Sequence, residues 1–256
     1  MTERMAQLTA LSGLGREAFL TGFAVFLRVG ALMALLPAFG EQTIPPRVRL
    51  ALALAFTAVT APAVADRIAP LSGPTAFLGE IAAGLILGIG LRLFVHALQI
   101  AGMIIAQATS LSQLFGGLDA DPLPAIGTIL TVAGLALALS AGLHVRAAEL
   151  IILSYDLLPS GQVPSAPEAA ALGLAQIARV FALGFSLAAP FLIASLIYNL
   201  ALGVINRAMP QLMVAMVGAP ALTLGGLALL AVVTPFALAL WVGQLNAYLD
   251  APFAVP

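Results

Sequence analysis

Three polar side chains recur on one face of an otherwise apolar stretch, and their types suit the transfer of a proton or an ion. Arg92, His96 and Gln99 are spaced i, i+4 and i+7, so one side of a helix carries all three. In a membrane such a face meets another helix or a watery cavity rather than lipid. A proton relay and hydrogen bonding between helices or subunits are both open. We favour hydrogen bonding, because a relay normally needs several carboxylates and only Glu80 lies in this stretch.

Arg28 and Glu80 are charged residues inside apolar stretches, and each needs a partner there. Glu80 precedes Arg92 by twelve residues, about 18 Å along a helix, so these two side chains cannot pair unless the chain folds back. An arginine keeps its charge and cannot cycle a proton. We therefore expect Arg28 to make a structural ion pair or to contact a backbone carbonyl.

Small and polar residues also recur at helical spacing. Asn199, Gly203 and Asn206 form a stripe at i, i+4 and i+7 that favours close helix packing, and Gly84 with Gly88 forms a GxxxG step of the same meaning. The sequence predicts buried polar contacts at six positions: Arg28, Glu80, Arg92, His96, Asn199 and Asn206.

The composition excludes several classes of function. Of 256 residues, 62% are apolar and 8% are charged, whereas a soluble domain has about 45–50% and about 25%, so the chain belongs in a membrane or among chains that lie there. A net charge of -1 gives no basic footprint for nucleic acid. All ten basic residues are Arg and Cys is absent, which excludes lysine chemistry and thiolate metal sites. No enzyme motif is present, and we expect no catalytic residue, cofactor or metal.

The apolar runs predict an all-α membrane protein of long hydrophobic helical hairpins, because most approach or exceed the roughly 20 residues that cross a bilayer as a helix. The runs are Phe19–Pro37, Leu50–Ala65, Phe77–Leu114, Ile126–Leu143, Leu172–Asn206 and Met213–Leu245. The helix predicted from the fourth run either ends at Leu143 or continues past His144. The helices predicted from the last two runs fold back on each other near Pro210. A polar stretch near residue 160 separates an N-terminal helical region, 1–160, from a C-terminal hairpin, 161–256.

Three motifs, in order along the chain, resemble the flagellar biosynthesis protein FliR family. The first, Leu27–Pro62, has an Arg in the first helix, a Pro-x-Phe-Gly turn and an Ile-Pro-x-Arg-x-Arg connector. The second is GLHVRAAELIILSYDLLPSG, Gly142–Gly161, and the third, Asn206–Leu230, opens with Asn-Arg-x-x-Pro-Gln. Their order and spacing fit the family over nearly the whole chain.

The resemblance implies a subunit of the flagellar type III export gate, a multi-pass protein of the bacterial inner membrane in the flagellar basal body. Members assemble with FliP and FliQ, and with other membrane proteins of the export apparatus, into a channel for unfolded flagellar substrates. By resemblance, the N-terminal region here is FliP-like and the C-terminal hairpin is FliQ-like. A loop after the third apolar region plugs the closed pore in that family. The matching positions lie within about Ser110–Pro124 and include Leu114, Phe115, Gly116 and Gly117.

The alternative is a small-molecule secondary transporter or permease subunit, which the proline breaks and the pair Arg92 and His96 favour. It lacks a convincing inverted repeat and a set of membrane carboxylates, so the export gate is the better hypothesis.

Overall fold

The computed structural model describes residues 2–68, 73–109, 125–209 and 214–253. In these ranges the chain forms seven α-helices, one short 3-10 turn at Ala65–Arg67 and no strand, which confirms the predicted all-α fold. The helices are α1 Thr2–Leu35, α2 Pro46–Val64, α3 Pro74–Thr109, α4 Ala125–Ser140, α5 Leu143–Leu157, α6 Ala166–Ala208 and α7 Val214–Asp250.

Five of the described helices are long and apolar enough to cross a membrane, and α4 with α5 would add a sixth if they form one broken span. The candidate spans are Ala18–Leu35, Pro46–Arg67, Pro74–Thr109, Ala166–Ala208 and Ala221–Asp250. The third apolar run is one continuous helix up to Thr109 rather than a tight hairpin. The fold-back near Pro210 lies outside the described residues.

The fourth apolar run is interrupted where the sequence allowed a continuous helix. Helix α4 ends at Ser140, and α5 begins at Leu143. Between them Gly142 has a φ of +86°, in the left-handed region, and nothing lies within 4 Å of a Cβ placed on it. Glycine adopts this conformation without the steric cost of a side chain, so it can end one helix and start the next.

The described chain divides into two compact units. Unit 1 takes residues 1–92, 139–176 and 247–256, and unit 2 takes residues 93–138 and 177–246. Helices α3, α4, α6 and α7 each contribute residues to both units. The division predicted near residue 160 concerns resemblance to two partner types rather than packing within one chain, and it stays a prediction.

In unit 1, helices α1 and α3 approach closely through glycine. A Cβ added at Gly84 would meet the backbone oxygen of Arg28 and would lie 2.9 Å from the Cβ of Ala31. A Cβ added at Gly88 would lie 3.0 Å from the Cβ of Leu35. The GxxxG step therefore packs against α1, as its spacing predicts.

In unit 2, Trp241 fills the core and fixes α7 to α3. Its side chain is fully buried, and its indole N–H donates a hydrogen bond to the carbonyl oxygen of Phe94 at 2.8 Å. A buried indole needs such an acceptor, because a donor without one costs about 1–3 kcal/mol. Also in this unit, Gly102 and Gly127 let the backbones of α3 and α4 approach each other closely.

Candidate functional site

A buried ion pair lies at the centre of unit 1. The Nε of Arg28 on α1 lies 2.7 Å from the Oε2 of Glu80 on α3, and the two side chains are 1% and 0% exposed. Sequence reasoning gave Arg28 an ion pair or a carbonyl contact, and the structure provides both. It did not identify Glu80 as the partner, because the two residues are 52 positions apart and only tertiary packing joins them.

The guanidinium of Arg28 makes three further contacts. Its Nη1 donates to the Oγ of Ser154 at 3.0 Å, and its Nη2 donates to the carbonyl oxygen of Leu158 at 2.9 Å. Its Cζ lies 3.7 Å from the centre of the Tyr155 ring. All three residues belong to α5 or directly follow it, so one arginine connects α1 to α5 as well as to α3.

The second carboxylate oxygen of Glu80 extends this network into the connector between α5 and α6. Glu80 Oε1 accepts a hydrogen bond from the backbone N–H of Gly161 at 2.9 Å. We call Arg28, Glu80, Ser154, Tyr155 and Gly161 the polar cluster. Because both oxygens of Glu80 and all three guanidinium nitrogens of Arg28 have partners, the cluster is suited to hold three helices in register rather than to pass protons.

A second ion pair fixes the turn between α1 and α2. Arg92 Nη1 lies 2.5 Å from Glu41 Oε1 and Nη2 lies 3.3 Å from Oε2, a two-pronged arrangement with both side chains about a quarter exposed. In the same turn, Ala38 has a φ of 68°, and Gly40 N–H donates to Leu36 O at 2.7 Å. Sequence analysis did not identify Glu41 as the partner of Arg92, because its position marks it only as a turn residue.

We expect Arg92→Leu to lower the free energy of unfolding by about 1–2 kcal/mol, because it removes a charge-assisted hydrogen bond pair that is partly screened by solvent. Glu41→Leu should cost a similar amount, and the double variant should cost less than the sum. Thermal denaturation in detergent of the four proteins, each in complex with its co-expressed partner subunits, gives the coupling energy. Strict additivity of the two single changes would show that the pair contributes nothing.

The polar stripe of α3 does not act as one group of three. Arg92 pairs with Glu41, whereas the Nδ1 of His96 lies 2.8 Å from the Oε1 of Gln99, one helical turn away. The side chain of His96 is exposed in the single chain. Its burial therefore depends on other chains and stays a prediction.

The two asparagines of α6 are also exposed in the single chain. Asn199 Nδ2 donates to Ser195 Oγ at 3.2 Å, and Asn206 lies in the last turn of the helix next to Arg207. Their predicted buried contacts, like that of His96, would have to come from partner chains. The proposed pore plug, Leu114 to Gly117, lies outside the described residues.

Helix α6 exposes bulky apolar side chains along most of its length. They are Leu174, Ile177, Phe181, Phe185, Ile193, Leu196, Ile197, Leu200, Val204 and Ile205, together with Met209 directly after the helix, each 42% to 71% exposed. Helix α7 adds Leu224, Leu227, Val232, Phe236 and Leu240. We call the α6 residues of this set, with Met209, the α6 apolar face.

In the residues that the structure describes, no group of three or more His, Cys, Asp or Glu side chains is placed to hold a metal ion.

Comparison with known proteins places the chain in a family. The family model described as bacterial export proteins, family 1, matches residues 19–248. The flagellar biosynthetic protein FliR of Caulobacter vibrioides is 35% identical over 247 residues, which cover 91% of this chain and 98% of that protein. The FliR proteins of Escherichia coli (30% identity, 83% and 84% covered) and Aquifex aeolicus (32%, 80% and 81%) are also similar.

These relatives carry the same description, and the family model spans most of the chain, including the polar cluster and both glycine contacts of α3 in unit 1. The resemblance predicted from the three motifs is confirmed. The chain belongs to the FliR family of bacterial export proteins.

Proposed function

We propose that this chain is a subunit of the export gate of the flagellar type III secretion apparatus in the bacterial inner membrane. There it forms, with FliP-type and FliQ-type subunits, the channel through which unfolded flagellar proteins cross. Family membership supports the role in flagellar export. The physical observation that carries the assembly is the length of the α6 apolar face.

The α6 apolar face is longer than a bilayer is thick. Leu174 is 70% exposed and Met209 is 57% exposed. These two residues are 35 positions apart, about 52 Å along a helix. A hydrocarbon core of about 30 Å would cover that length only at a tilt of about 55°, whereas membrane helices tilt by at most about 40°. Other protein chains must therefore cover part of this face.

The partners that fit this face are long apolar helices with few charges. Between Val180 and Leu249 the only formal charge is Arg207, so an ion-pair pattern cannot select the partner. Association would instead depend on packing and on hydrogen bonds, for which Asn199 and Asn206 are placed. We propose that residues 1–160 form a FliP-like helical region and residues 161–256 a FliQ-like helical hairpin.

Expression of this chain alone in its host membrane should give a protein that aggregates or is degraded, because lipid cannot cover the whole α6 apolar face. Co-expression with the FliP-type and FliQ-type subunits of the same bacterium should give one monodisperse complex in mild detergent. Size-exclusion chromatography with mass determination measures both. A stable monomer that ignores the two co-expressed subunits would exclude the assembly.

The second part of the proposal concerns the pore plug. Leu114 and Phe115 are bulky and apolar, and the two glycines that follow allow a sharp bend, a composition suited to closing a narrow apolar passage. Deletion of Leu114 to Gly117 should leave the complex assembled and raise the passive ion conductance of the membrane. Planar-bilayer recording of the purified complex tests this. Assembly with unchanged conductance would return the loop to a purely connecting role.

A further inference from the structure

A cavity of about 770 Å³ lies within unit 1 beside the connector between α5 and α6. Apolar side chains from several elements line it, among them Ile86 of α3, Leu157 of α5, Leu172 of α6 and Phe253 after α7. Its volume falls in the range of about 300–1,000 Å³ that is usual for specific binding sites. None of its lining residues belongs to the polar cluster or to the α6 apolar face.

One carboxylate lies at the rim of this cavity. Glu168, in the first turn of α6, is the only formally charged residue in the lining, whose other polar side chains are Gln162 and Ser165. Ser165 Oγ donates to Glu168 Oε2 at 2.5 Å, and this hydrogen bond orients the carboxylate. The cavity therefore offers apolar walls and a fixed negative charge with no basic residue among its lining.

We propose that this cavity receives an apolar segment of a partner subunit that carries a lysine or an arginine for Glu168. The inference rests on the proposed function and gives it a docking site. Bulky apolar side chains match the walls, and a cation matches the carboxylate. Leu157 and Val163 in the lining are 42% and 58% exposed, so the apolar wall of the cavity opens onto the surface, which suits a segment of chain better than a small molecule.

The backbone of the connector argues for protein rather than a lipid tail. Residues 159–165 are not helical, and most of them are exposed. Irregular backbone carries N–H and C=O groups that hydrocarbon cannot satisfy, so such a segment does not face the lipid core. A peptide partner can satisfy those groups while its side chains fill the cavity.

Charge reversal at the rim is the direct test. In cells that co-express the FliP-type and FliQ-type subunits, Glu168→Arg should reduce the amount of those subunits that co-purifies with this chain at least fivefold. Glu168→Gln can still accept the hydrogen bond from Ser165 but removes the charge, so it should reduce the yield about twofold to threefold. Glu149→Arg, which reverses an exposed carboxylate of α5 outside the cavity, should leave the yield unchanged.

Rescue identifies the partner group. With Glu168→Arg in place, replacing the contacting lysine or arginine of the partner by Glu should restore the yield, and a photoreactive residue at Val163 should cross-link to the same segment. If the wild-type chain does not co-purify with either subunit, the proposed function and this inference both fail. If the wild type co-purifies and Glu168→Arg does so equally well, or if Val163 cross-links only to lipid, the docking site alone is wrong.

Discussion

Arg28→Met alone should lower the free energy of unfolding by about 3–5 kcal/mol, because it leaves the carboxylate of Glu80, which is 0% exposed, without its counter-ion. The reciprocal change, Glu80→Leu, leaves a buried guanidinium and should cost a similar amount. The double variant should be more stable than either single variant, since apolar side chains often replace a buried ion pair at little cost. It should still be less stable than the wild type, because Gly161 N–H loses its acceptor.

The measurement is thermal denaturation and protease resistance of the assembled complex in detergent. Arg67→Met is the matched control: Arg67 pairs with Asp156 at 2.9 Å, but the two side chains are 42% and 54% exposed, so the cost should stay below about 1 kcal/mol. A double variant as unstable as the two single variants combined would show that the cluster acts through its separate hydrogen bonds rather than through the pairing of charges.

Gly84→Ala should destabilise the protein by about 1–3 kcal/mol, although alanine is the better helix former. Its added methyl group meets the backbone of Arg28 and the Cβ of Ala31, so α1 and α3 must move apart and disturb the polar cluster between them. A larger residue such as Leu should prevent folding of unit 1.

The same substitution at Gly30 should have the opposite sign. Gly30 lies in α1, and nothing lies within 4 Å of a Cβ placed there, so Gly30→Ala should stabilise the helix by about 0.5–1 kcal/mol. The two variants differ only in what the methyl group meets. A shift of both melting temperatures in the same direction would contradict the close packing of α1 on α3.

The sequence predicted the parts of this structure that depend on local composition. Runs of apolar residues predicted helices, and the GxxxG spacing predicted a close approach at Gly84 and Gly88, because both effects act within a few turns. Partner choice is not local in this sense. The sequence predicts an ion pair or a carbonyl contact for Arg28, but nothing in one sequence says whether Glu41 or Glu80 lies beside it, since that depends on the register of α1 against α3.

The sequence left the break between α4 and α5 undecided for a related reason. A glycine within an apolar run is compatible with an unbroken helix, and only its neighbours decide whether it adopts a positive φ. Gly142 does so here, with a φ of +86°. Likewise, the polar stripe of α3 was read correctly as a helical face, but the turn that brings Glu41 to Arg92 is a tertiary feature.

The sequence positions of the Arg28 partners also determine the order in which the ribosome makes them. Glu80 follows Arg28 by 52 residues, so at about 5–20 residues per second the ribosome completes it about 3–10 s after the arginine. Leu158, whose carbonyl oxygen is the last of the Arg28 partners to be synthesised, follows Arg28 by 130 residues, about 7–26 s later. Until Glu80 is made the arginine of the first helix has none of its native partners, until Leu158 is made its set of partners is incomplete, and leaving the arginine in hydrocarbon is costly. We therefore expect the N-terminal helix to become stable in the membrane only after α3 and α5 have been made, so that unit 1 is completed late and as a whole.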